Sequence, residues 1–241
     1  MTKIYAYITL AVTFAFAIAP AVTSPFMGFS EDQLPIPQID PPIQPAGYAF
    51  SIWGLIYGWL VVSAIFGAWK RAGDPDWDKA RKPLIVSLAI GAPWLAIANA
   101  SAIWATITIA LMAIFAITAL LLSPAKDRWW FAVPVSIYAG WLTAATWVSI
   151  GSTAAGYGIL LDQMGWAYAG ILGALIIALV VFGSSKAPGY GLTVIWALIG
   201  IIVANGMEIW TVTAFAATGV VIMAAVVAKS AIGRQTPAGA A

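Results

Sequence analysis

Histidine and cysteine, the side chains that most often ligate metals, move protons or attack as nucleophiles near neutral pH, are both absent from this chain. The residues left with suitable spacing for a site are aromatic. Residues 45–57 read PAGYAFSIWGLIY, and Phe50, Trp53 and Tyr57 fall at i, i+3 and i+7, so a helix here carries three rings along one face. Such a face could hold a ligand. Trp94, Tyr138, Trp141 and Trp147 also lie well inside apolar segments, where lipid offers an indole N–H or a phenol no partner. For these, packing within a helix bundle and lining a ligand cavity are both open readings. Hydroxyl side chains are present, but no base is placed to activate them, so no catalytic residue and no metal site is expected.

The elements that must position these rings are set by composition. Of 241 residues, 62% are hydrophobic and 8% charged, whereas roughly a quarter of a soluble domain is charged. The apolar segments are long and show no outward-inward alternation, which predicts an all-α polytopic membrane bundle rather than a barrel. The first span covers about residues 4–23. Its alanines 17, 19 and 21 also resemble a signal-peptide cleavage site, but its length suffices to cross a bilayer. A loop with six prolines follows at 24–45 and could lie over the bundle as a lid. Pro45 suits the first turn of a helix, so the second span is expected from there to about residue 69. Residues 70–82, KRAGDPDWDKARK, read as a charged loop. The apolar block 83–122 is too long for one crossing and divides near residues 99–101. A fifth span covers about 129–150 and a sixth about 166–182, with a glycine-containing connection at 151–165. The block 191–228 divides near 205–208, which brings the total to eight.

Charge placement tests that total, because short cytoplasmic loops are enriched in Lys and Arg. With eight spans, all eleven basic residues fall in the even-numbered loops and the two ends of the chain, so both termini face the cytoplasm. No Asp, Glu, Lys or Arg lies mid-span, which argues against an ion-coupled pump and a retinal Schiff base; Glu208 is expected at the outer interface. The net charge of +2 predicts no nucleic-acid partner. Trp69, Trp77, Trp129, Trp130 and Trp166 sit where interfacial anchors are expected. Gly54 with Gly58, and Gly170 with Gly173, predict close helix contacts.

The stretch at Pro45, Gly47, Tyr48, Phe50, Trp53, Ile56 and Tyr57 resembles the motif that leads into the second helix of the translocator or tryptophan-rich sensory protein family (TspO/MBR), with Tyr48 in place of a tryptophan. Pro134, Tyr138, Trp141 and Thr143 look like that family's proline-and-aromatic pattern in the fifth helix. Trp94 is similar to the tryptophan closing an NxxW pattern, although Gly91 stands where the asparagine belongs. The resemblance covers residues 1–152. It implies a five-helix core over 1–152 and a three-helix extension over 153–241, as in a longer bacterial branch of the family, located in the cytoplasmic (inner) membrane. It also implies a cavity under the first loop that binds a tetrapyrrole such as protoporphyrin IX, no required cofactor, and a homodimer or another membrane protein as partner. Ligand contacts are expected from Tyr48, Phe50, Trp53, Tyr57, Trp94, Tyr138 and Trp141, with Tyr48 and the loop closing above. Without histidine a metal-free porphyrin fits better than haem. An uncoupled permease for a small amphipathic solute and an accessory subunit docking on other membrane proteins are the alternatives.

Overall fold

The computed structural model describes residues 3–232. Among them all regular structure is helical: α1 (Ile4–Val22), α2 (Ile52–Lys70), α3 (Pro75–Gly91), α4 (Trp94–Ala100), α5 (Ala102–Leu121), α6 (Ala132–Gly156), α7 (Gln163–Ser185), α8 (Pro188–Asn205) and α9 (Trp210–Ile232). Seven of these are each long and apolar enough to cross a bilayer. The pair α3 and α4, bent by 41° where Pro93 cannot donate to the helical ladder, is long and apolar enough only when taken together, and counts as an eighth if it is a single broken span. The expected polytopic helical bundle is therefore observed, with seven to eight candidate spans. α3 packs on α5, α5 on α6, α6 on α7 and α8, and α8 on α9, while α1 lies across α2 and α3.

Several boundaries differ from the sequence reading, each for a local reason. α2 does not begin at Pro45: residues Gly47–Ser51 form a 3₁₀ turn and the α-helix starts at Ile52. α3 begins inside the segment expected to be a charged loop. Asp74 caps it by accepting from the amides of Asp76 and Trp77, at 3.1 and 3.5 Å, and Pro75 occupies the first turn. α6 continues to Gly156, and Asp162 caps α7 by accepting from the Gly165 amide at 2.7 Å, so the connection between them is short. The break between the third and fourth spans, by contrast, falls where it was expected, at Ser101, which is extended and caps α5.

Loops that should share a side of the membrane do touch. On the basic side, Arg71 donates to Asp127 through Nε at 2.6 Å and Nη2 at 3.2 Å, and Lys126 pairs with Asp74 at 2.6 Å. Trp77 is not an interfacial anchor but is buried, with its Nε1 donating to Asp127 at 3.2 Å. Arg81 is buried beside it and donates to Asp78 and to the carbonyls of Arg71 and Gly67. These partners explain how Trp77 and Arg81 can face inward while Asp76 and Lys79 on the same turns stay exposed. Trp69 and Trp129 remain exposed, as anchors should.

The glycines divide into two kinds. A Cβ on Gly140 would lie 2.7 Å from the Tyr190 carbonyl oxygen, and one on Gly173 would run into the Trp147 ring, so these mark true helix contacts. Gly170 likewise admits Ile43. Gly54 and Gly58 have nothing within 4 Å of such a Cβ, so their GxxxG pair joins no helices among the described residues. Gly140→Ala, which pushes against rigid backbone, should cost about 1–3 kcal/mol, whereas Gly54→Ala should change stability by less than about 1 kcal/mol in either direction; unfolding in detergent compares them.

Asp127 is held below the usual carboxylate range, first by the Arg71 hydrogen bond and against some desolvation by burial, with Trp77 assisting. A depressed folded-state pKa contributes stability that is complete above the unfolded value of about 3.9 and lost as pH falls through the lower folded value. Asp127→Asn should therefore lower the melting temperature at neutral pH and shallow its decline below about pH 4, as thermal unfolding from neutral to acidic pH would record.

Candidate functional site

In the half of the bundle away from the basic loops, α1, α2, α5, α6 and the bent α3–α4 span enclose a cavity of about 240 Å³. Its walls are rings. Trp53 and Tyr57, one turn apart on α2, stack at 5.3 Å with planes 16° apart. Trp141 of α6 meets Trp53 edge-on at 6.2 Å and Phe50 edge-on at 5.8 Å. The floor is Phe16 of α1, whose ring lies 5.0 Å from Tyr57, 5.6 Å from Tyr138 and 6.0 Å from Trp53. Gly91 admits it, because a Cβ there would sit 2.7 Å from the Phe16 ring. At the outer end Phe26, from the first loop, packs edge-on against Trp94 at 5.2 Å. Trp94 is fixed in turn by donating to the Ala105 carbonyl at 3.1 Å.

Of the seven residues expected as ligand contacts, the structure brings Phe50, Trp53, Tyr57, Trp94 and Trp141 to this cavity. Tyr138 lies behind the floor, fully buried, with its hydroxyl 2.9 Å from Ser87 Oγ. Tyr48 does not close above the rings. The 3₁₀ turn directs it outward to α8, where it stands edge-on to Trp196 at 5.4 Å. Phe16 and Phe26 were not expected. Phe16 has the same chemistry as the exposed Phe14 two residues away, and only the position of Gly91 selects it. Gly91 thus fills a packing role at the position where the asparagine would stand.

No acid or base lines the cavity. The Trp141 indole N–H, on its wall, is buried with no hydrogen-bond partner among the described residues, a state that costs free energy unless an acceptor arrives. Among the described residues no cluster of three or more acidic side chains could hold a metal ion. What the arrangement offers is stacking and edge contact for an apolar molecule, with a few neutral donors among the lining residues.

The sequence model of the family described as TSPO-like protein matches residues 3–228. The chain belongs to the TSPO-like family. The match spans the five aromatic-lined spans and the last three alike, ending within α9. No curated protein and no solved structure matches the chain. Membership accords with a multi-pass membrane protein that binds a ligand or senses one.

If Tyr138 supports the floor rather than touching ligand, Ser87→Ala should cost about 1–3 kcal/mol by leaving the phenol unpaired. The double variant with Tyr138→Phe should recover most of that cost, as measured by unfolding of the two proteins in detergent.

Proposed function

We propose that this protein is a sensory or binding protein of the bacterial cytoplasmic membrane. It would take a flat hydrophobic ligand of the tetrapyrrole class, for which protoporphyrin IX is the probe, into the aromatic cavity. The observation that carries this reading is the wall itself: a stacked Trp53–Tyr57 pair crossed nearly at right angles by Trp141, with no charged side chain facing the space. Stacking contributes most where water is excluded, and an acceptor on the ligand would satisfy the Trp141 N–H. A volume of about 240 Å³ is below the roughly 300–1,000 Å³ of pockets that enclose a drug-sized molecule. A macrocycle is therefore held by one edge, with its remaining substituents toward Pro20, Pro25 and Phe26. With histidine missing, a metal-free ring suits the site better than haem.

The competing reading, a permease, has less support. Below the cavity the Phe16 ring packs edge-on against both Tyr57 and Tyr138, which obstructs a path through the bundle. With both termini in the cytoplasm, the mouth faces the extracytoplasmic side.

Addition of protoporphyrin IX to purified protein should quench tryptophan fluorescence saturably. Trp53→Ala should weaken binding about three- to tenfold, the equivalent of one aromatic contact, and Tyr48→Ala should leave it unchanged. Quenching no different from that in empty detergent would remove the proposal.

A further inference from the structure

The first loop is not fastened evenly. Its later part, residues 34–50, is held by helices that lie more than a hundred residues further on. Leu34 packs at Gly156, where a Cβ would lie 2.7 Å from it, and the Ile36 amide donates to the Gly156 carbonyl at 2.9 Å. Ile43 fills the notch between Gly151 of α6 and Gly170 of α7. From α8, Asn205 donates to the Pro42 carbonyl at 2.8 Å and Trp196 Nε1 to the Ala49 carbonyl at 3.0 Å. The Ala46 amide donates to the Gly200 carbonyl at 3.0 Å. Gly200 permits this approach, since a Cβ would stand 2.8 Å from Pro45 and 3.0 Å from Ala49. The next residue after Ala49 is Phe50, part of the cavity wall.

The earlier part, residues 24–33, has lighter moorings. Asn99 donates to the Ser24 carbonyl at 3.0 Å, Gln33 to the Ala98 carbonyl at 2.8 Å, and Gln44 to the Met27 carbonyl at 3.0 Å. Phe26, which touches the cavity, belongs to this part.

We infer that α8 is the mount of the cavity wall: Trp196 and Asn205, neither of which lines the cavity, are positioning residues that fix residues 42–50 and hence Phe50. Residues 24–33 form the side that yields when ligand passes. The role in binding rests on the cavity reading above, while the mounting itself can be tested without ligand. It assigns α8, with α7 beside it, a function in shaping the site.

Hydrogen exchange of the full chain in detergent, read by peptide, tests the mount. Without ligand, amides of 42–50 should exchange at least about tenfold more slowly than those of 24–33. Trp196→Phe keeps a ring opposite Tyr48 but deletes the bond to Ala49. It should speed exchange in 46–50 about two- to tenfold and leave 24–33 unchanged. Protoporphyrin IX should slow exchange in 24–33, and Trp196→Phe should bind it about two- to tenfold more weakly. Equal exchange of the two parts in the wild type, or a uniform rise across the chain in Trp196→Phe, overturns the mount. Absence of protoporphyrin binding to the wild type counts against the cavity reading alone, because the exchange pattern without ligand still decides the mount.

Discussion

Helices in lipid gain little from hydrophobic burial against one another, so their association depends on how closely they can approach and on the polar bonds they form once there. α6 is where this constraint is met most fully. Gly140 lets the α8 backbone come near, and Gly151 and Gly156 receive Ile43 and Leu34 of the first loop. Hydroxyl pairs fasten the same contacts: Thr143 with Tyr190 of α8 at 2.8 Å, and Thr153 with Thr106 of α5 at 2.8 Å. The helix also presents Trp141 to the cavity. One element thus carries the ligand wall on one side and the seats for the loop and α8 on another, so the site and its surroundings are packed as one piece.

The two sides of the bundle are stabilised differently. The basic side is held by charge: Arg71, Asp127, Lys126 and Asp74 link two loops, with Trp77 and Arg81 sealed beneath. The opposite side is held by shape, through glycine notches, proline-rich chain and single amide bonds. A ligand site benefits from the second arrangement, since neutral contacts can separate along one part of a loop without exposing a buried ion.

Much of the architecture could be read before any coordinates. The number of spans followed from segment length and from the confinement of Lys and Arg to alternate loops, because the bilayer imposes both. Trp53 and Tyr57 reach the cavity because ring spacing on α2 is a helical property that survives a shift in the helix start, and Phe50, Trp94 and Trp141 join them from the 3₁₀ turn, α4 and α6. Tyr48 shares the 3₁₀ turn with Phe50, but the turn sends it to the opposite side, against Trp196 of α8. Trp77 and Arg81 resembled loop and interface residues, and their burial depends on Asp127, fifty residues away in the chain for Trp77. Gly54 and Gly170 look alike in sequence, and only the neighbours across the gap distinguish an open stripe from a seat for Ile43. Local pattern reports periodicity and phase, whereas partners remote in the chain determine which face is used.

The long reach of the loop's anchors also orders events during synthesis. Trp196 is 147 positions beyond Ala49, and Asn205 is 163 beyond Pro42. At roughly 5–20 residues per second, translation needs about 7–30 s to deliver the first of these anchors after the segment it secures. By the end of that interval α6, the last of the aromatic-lined spans, has been made, while the mouth of their cavity is still unfinished. The nascent site is therefore at its most open before α8 inserts, and the closing contacts are among the last that the chain can make.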